Sequence, residues 1–232
     1  MKISRSSLLR FDPTPAEARE LQRELAPRVV RRDRLGRGGW RKLRTVAGAD
    51  LSLCDDHGFA AVIVYSFPDL VEVERASAVG KLRFSYVPGL LSFRELPLLL
   101  EAFGKLKSKP DAIIVDGHGL AHPRRFGLAC FLGLVLDTPT VGCGKSRLVG
   151  SYKMPAAKAG ATSPLVIGQK DHAEQVGTVL RTKRGVSPLF VSIGHRVSLP
   201  TAVKVVEACG DGYRLPKPQR LADQWTKQLR RG

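Results

Sequence analysis

The sequence predicts an α/β fold, a mixed central sheet with helices on both faces. Three observations predict it. Strand-like segments follow one another closely between residues 44 and 78, the period turns helical at residue 93, and helix- and strand-like segments then alternate to the end of the chain.

Residues 15–32 read as a first helix, with Thr14 as N-cap, Pro15 in the first turn and Leu21, Leu25 and Val29 at helical spacing on an otherwise basic surface. Gly36 to Gly39 reads as a flexible, charged connector. Strands are expected at 44–53, 59–67 and 71–78, punctuated by His57-Gly58 and Pro68-Asp69, which predicts an antiparallel meander. Residues 93–107 carry Leu96, Leu99, Leu100 and Phe103 on one helical face, and Ser92 with Glu95 has the spacing of a capping box. The continuous apolar run 112–115 reads as a strand buried on both faces. It is followed by an irregular loop, a helix at 126–136 and a short strand at 140–142. Further strands are expected at 164–168, 175–182 and 189–193, and helices at 201–209 and 221–230. No repeat or linker divides the chain, so one domain spanning 1–232 is expected.

Lys and Arg total 38 against 21 Asp and Glu, a formal charge of +17, while 43% of residues are hydrophobic. That excess favours a polyanionic partner, with affinity that falls as salt rises. The first ten residues lack the apolar core of a secretory signal, and no run approaches a membrane span, so a cytoplasmic protein without membrane contact is expected. Cys54, Cys130, Cys143 and Cys209 are widely spaced and read as reduced, apolar side chains.

Asp50 interrupts the apolar strand Val46-Ala-Gly-Ala-Asp50-Leu-Ser-Leu, and Asp116 ends the apolar run 112–115. An unpaired buried carboxylate is costly, so both positions ask for a partner. If the first and fourth strands are neighbours, the two aspartates face each other, and Glu95 converges on them from the start of its helix. Carboxylates this close repel unless a cation lies between them, and hard oxygen donors suit Mg2+ or Mn2+. Two plainer readings stand beside this one, in which Glu95 caps its helix and Asp116 is a turn residue.

Four segments carry a resemblance. Val46-Ala-Gly-Ala-Asp50, Tyr86-Val-Pro-Gly-Leu-Leu-Ser-Phe-Arg-Glu95, Val115-Asp-Gly-His-Gly-Leu-Ala-His-Pro-Arg-Arg125 and Gly194-His-Arg-Val197 occur in this order, and Tyr213-Arg-Leu-Pro-Lys-Pro218 extends the match. Together they resemble the signature motifs of the endonuclease V family. The resemblance implies a ribonuclease-H-like fold and a Mg2+-dependent DNA-repair endonuclease, in which Mn2+ can substitute. Its implied partner is inosine-containing DNA or RNA, and its implied cut is the second phosphodiester bond on the 3′ side of inosine. The expected state is a monomer. Two alternatives remain: an endoribonuclease acting mainly on inosine in RNA, and a binding module that does not cleave.

By the same resemblance Asp50, Glu95 and Asp116 match the catalytic carboxylates. Asp223 is a further metal-proximal candidate, although it can also pair with Lys227 one helical turn on. Lys145, in Gly142-Cys-Gly-Lys145-Ser146, lacks the first glycine of a phosphate-binding loop, because Pro139 stands there. It is instead expected to hold a phosphate or to help deprotonate water. His122 is expected to orient a phosphate or water. His118 and His122 have zinc-pair spacing, but Gly117, Gly119 and Pro123 argue against the helix a zinc pair would need. Tyr86 aligns with a strand-separating wedge. Pro88, Gly89, Leu91, Gly117 and Leu128 match the surroundings of the base. Two departures stand out: Ala129-Cys-Phe131 where the family often has Ala-Ser-His, and Cys143-Gly144 where Val-Ala is usual.

Overall fold

The computed structural model describes residues 12–35 and 39–231. The connector at 36–38 and the first ten residues, on which the expectation of no signal segment rests, lie outside the described residues. Eight strands form one sheet in the order β3-β2-β1-β4-β5-β8-β7-β6. The meander β1 (Thr45–Cys54), β2 (His57–Ser66) and β3 (Glu72–Lys81) is antiparallel, as its short turns require. β1 pairs in parallel with β4 (Ala112–Val115), and β4 in parallel with β5 (Thr140–Gly144). A second antiparallel meander, β6 (Ala161–Ile167), β7 (Glu174–Arg181) and β8 (Leu189–His195), joins through β5·β8 pairing.

Among the described residues five helices complete the fold: α1 (Pro15–Leu25), α2 (Leu91–Gly104), α3 (Leu128–Leu136), α4 (Leu199–Ala208) and α5 (Lys217–Leu229). β1 shows how both faces are covered. Ser52 Oγ donates to Thr226 O of α5 at 3.1 Å, whereas the opposite face, at Leu51 and neighbouring Gly58, receives Leu98 of α2. Gly58 therefore lies inside β2 and makes room for α2; the hairpin turn is Asp55-Asp56, with Asp55 at φ 52°.

Three boundaries differ from expectation for identifiable reasons. α1 ends at Leu25 and tightens into a 3-10 turn over Ala26–Arg28, because Pro27 has no N–H to continue the ladder. α5 starts at Lys217, four residues before its expected start, because Pro218 sits in the first turn, where proline costs nothing. α2 starts at Leu91, so Ser92 lies within the helix, its Oγ buried without a partner, and the capping box with Glu95 does not form. α1, by contrast, has a full capping box between Thr14 and Glu17.

The core lies between the sheet and the helices: α1, α2, α3 and α4 all contribute buried residues, and Leu221 and Trp225 of α5 pack against it. Phe131, one of the departures, is fully buried edge-on to Phe93 at 5.3 Å and close to Phe126, where an imidazole would need a polar partner. Cys130, Cys143 and Cys209 are buried and burial raises their thiol pKa, but Cys54 is exposed, contrary to the apolar setting expected for it. No described helix is long and apolar enough to cross a membrane.

Candidate active site

Parallel pairing of the three central strands builds the site. Ala49 is in register with Val115, and the Asp116 N–H donates to Ala49 O at 3.0 Å, so Asp50 and Asp116 emerge side by side. β5 ends at Gly144 and delivers Lys145 next to them. α5 closes the other side. Each of Asp50, Asp116 and Asp223 offers a carboxylate oxygen within 4.8 Å of the other two. Thr226 Oγ1 donates to Asp50 Oδ2 at 3.1 Å, which fixes the carboxylate against the helix.

Glu95 lies outside that tightest trio but within its field. Burial, then Asp50 and Asp116, raise its pKa well above the ordinary carboxylate range. Burial and Asp116 likewise push Asp50 up to about 7. Such crowding of acids is what a cation relieves, and an all-oxygen donor set fits Mg2+ or Mn2+ better than zinc. Lys145 supplies part of the counter-charge: its Nζ contacts Asp116 and lies 2.6 Å from Asp223 Oδ1. Burial opposes its charge, yet the two aspartates hold the ammonium above the usual lysine range. Its ammonium, in contact with both aspartates at the edge of the acid cluster, is placed to neutralise a phosphate. Asp223 also pairs with Lys227 at 2.5 Å, so the expected helical ion pair and the site coexist. Although burial opposes its charge, its two lysine partners keep Asp223 below the usual carboxylate range.

A cavity of about 270 Å³ adjoins the acids and is lined by Tyr86, Pro88, Gly89, Leu91, Gly117 and Leu128 together with Asp116. Residues from three separate segments thus meet around one space. Tyr86 is 67% exposed at its edge, an unusual position for an aromatic ring with only packing to do. Gly89 has φ +77°, a left-handed conformation that disfavours any side chain, and a Cβ there would also lie 2.8 Å from the Arg124 guanidinium and force it to shift. Gly117, at φ +154°, leaves ordinary contact space beside Leu128, so its backbone angle rather than crowding is what calls for glycine.

His122 is 4% exposed and bonded within the protein: its Nδ1 accepts from the Arg124 N–H at 3.2 Å, leaving Nε2 to donate to Gly89 O at 3.0 Å. Burial and Arg124 lower its pKa to about 4. With both ring nitrogens occupied, it fastens the cavity wall instead of reaching toward the acids. His118, passed over as a zinc ligand, also lines the cavity, with Nδ1 buried and unpartnered. Its ring packs where a Cβ on residue 144 would sit, which accounts for Gly144. His195 is structural, accepting from the Val30 N–H at 3.3 Å.

Sequence reasoning missed Thr226, His118, Gln22 and Arg124. Gln22 left a trace, an amide on the apolar face of α1 between Ala18 and Leu25; Thr226 left none, because its partner lies 176 residues away.

Comparison with known proteins agrees with the geometry. The family model for endonuclease V matches residues 23–224. The endonuclease V of Dehalococcoides mccartyi strain CBDB1 is 48% identical over 231 residues, covering 99% of this chain and 100% of the relative. The crystal structure of endonuclease V from Streptomyces avermitilis superposes with a TM-score of 0.87 at 41% identity, covering 95% of each chain. Endonuclease V from Ciona intestinalis, solved with a 24mer DNA containing an inosine followed by a ribo-adenosine, superposes with a TM-score of 0.81 at 28% identity, covering 93% of this chain and 97% of that one. A carboxylate cluster drawn from β1, the end of β4 and helix α5 beside a cavity, with matches of this extent in sequence and fold, places the chain in the endonuclease V family, the endonucleases that act on phosphodiester bonds of nucleic acid.

Proposed function

We propose that this enzyme recognises inosine in DNA, draws it into the cavity beside Tyr86, and hydrolyses the second phosphodiester bond on its 3′ side. The observation that carries the reading is Asp116, which belongs both to the acid cluster and to the cavity lining. Chemistry and base recognition therefore share a wall. The inosine-containing DNA held by the Ciona relative supports the same substrate class.

Asp50, Asp116 and Asp223 would hold Mg2+ or Mn2+, with Glu95 beside them; when bound, the ion neutralises phosphate charge and lowers the pKa of water. Lys145, charged at neutral pH, stabilises negative charge building on the phosphate. Tyr86 fills the gap left by the extruded base and offsets part of the roughly few kcal/mol that unstacking costs. Pro88 stiffens that loop. Gly89 and Gly117 bring backbone groups to the base edge, while Leu91 and Leu128 pack on its faces. Hypoxanthine lacks the exocyclic amine of guanine and carries oxygen where adenine has an amine, so a close-fitting wall disfavours both normal purines.

The test uses matched DNA strands with and without one inosine, an RNA counterpart, and Mg2+ present or withheld. Wild type should cut inosine DNA only with the ion. Asp50→Ala and Asp116→Ala should lose at least about a hundredfold in rate while still binding DNA, because the basic surface is untouched. Cleavage of either variant within about tenfold of wild type would refute the assigned carboxylates. Faster cutting of the RNA counterpart would redirect the substrate assignment.

A further inference from the structure

Gly89 forms part of the cavity wall, and its carbonyl oxygen turns away from solvent into a convergence of donors. It accepts from Gln22 Nε2 at 3.2 Å, His122 Nε2 at 3.0 Å and an Arg124 guanidinium nitrogen at 2.6 Å. The other end of the same peptide unit is also held, since the Leu90 N–H donates to Val87 O at 2.9 Å. Three donors on one carbonyl exceed its two lone pairs, an unusual concentration for a loop peptide.

The donors are themselves tied together. Gln22 Oε1 accepts from Arg124 Nε at 2.5 Å, and Gln22 Nε2 also reaches Phe126 O at 3.0 Å. Gln22 is wholly buried in α1, a helix that lies outside the sheet. Its amide thus clasps the loop before α2, which carries Tyr86, Pro88 and Gly89, to the loop after β4, which carries Asp116, Gly117 and His122.

We infer that Gln22 and Arg124 are positioning residues for base recognition: they set the separation of the two cavity walls and so govern how well an extruded inosine is held and told from normal purines. The inference rests on the base-cavity reading above and extends it to two residues that do not line the cavity. A wall displaced by a fraction of an ångström loses oriented contacts to the base edge and misaligns the phosphate beyond it. Nonspecific attraction to DNA, set by surface charge, is left alone.

Gln22→Leu keeps the size and helix preference of the side chain and removes its donors and acceptor. Arg124→Lys keeps the charge but cannot reach Gln22 Oε1 and Gly89 O together, and being partly exposed it perturbs folding less. Three quantities are compared with wild type: single-turnover cleavage of inosine DNA, affinity for undamaged DNA at one salt concentration, and fluorescence of 2-aminopurine placed next to inosine, which reports base extrusion without cleavage. Both variants should lose about tenfold or more in inosine cleavage and most of the fluorescence change, with undamaged-DNA affinity kept within about twofold. The double variant should be little worse than either single one, because both act through one carbonyl. If folded Gln22→Leu, or Arg124→Lys should Gln22→Leu not fold, keeps rate, preference and fluorescence within about twofold, the inference is overturned. A wild-type enzyme with no preference for inosine would instead overturn the cavity reading itself.

Discussion

Asp50 shows how one buried side chain ties stability to pH. Burial and Asp116 raise its pKa from the ordinary 3.8 to about 7 in the metal-free protein. A raised folded-state pKa means that the stability linked to the proton is complete below about pH 4 and is lost as pH climbs through about 7. Glu95 shifts in the same direction. Without divalent cation, the melting temperature should therefore fall between about pH 5 and pH 8, by on the order of 5 °C. Added Mg2+ should restore more at the upper end than at the lower, since the ion replaces a proton only where the carboxylates have lost theirs. Thermal melts of wild type and Asp50→Asn across this range check the point. A slope unchanged by the substitution, or equal Mg2+ gains at both ends, would remove Asp50 from the explanation.

Helix α5 is the element that completes the acid cluster, and its seat is Gly48. A methyl group at that position would overlap the Pro218 carbonyl, backbone against backbone, with no flexible side chain to yield. Ser52 and Asp50, further along the same strand face, then bond to Thr226 of the helix at 3.1 Å each. Gly48→Ala should push α5 outward, cost about 1–3 kcal/mol and carry Asp223 away from Asp50 and Asp116. Ser52→Ala removes one hydrogen bond, costs about 1 kcal/mol and leaves the seat intact. Denaturant melts and cleavage rates measured together separate the two: Gly48→Ala should lose activity well beyond its loss of folded protein, and Ser52→Ala should not. Equal behaviour of the pair would mean that α5 is not positioned by this contact.

At the scale of the whole molecule the dominant property is its charge of +17, set against an acidic centre. Long-range attraction brings the polyanion in, and the acids act only at contact. Binding of the inactive Asp116→Ala enzyme to undamaged duplex should therefore fall steeply with salt. A log–log slope of about −4 or steeper corresponds to roughly five neutralised phosphates. Titrations from low to physiological ionic strength measure it. A slope near zero would show that the basic residues do not face the nucleic acid.

What the sequence by itself determined is whatever depends on local pattern. The alternation and turns of residues 44–81, the apolar run before Asp116 and the leucine spacing of α2 specified strands, helix and sheet class, because burial of one face imposes a period on the chain. Asp50 and Asp116 were legible for the same reason, as charges placed where the period demands apolar residues. Tertiary structure decided the rest. It set Asp223, one of four acidic candidates in the sequence, directly beside Asp50 and Asp116 with Glu95 close by, because the docking of α5 brings together residues more than 100 positions apart. It kept Lys145 charged, since only the folded chain sets it between two aspartates. It turned His122 from the acids to the Gly89 carbonyl and gave Gln22 its partners. A hydrogen bond depends on distance and angle in space, and between distant segments the linear pattern of residues encodes neither.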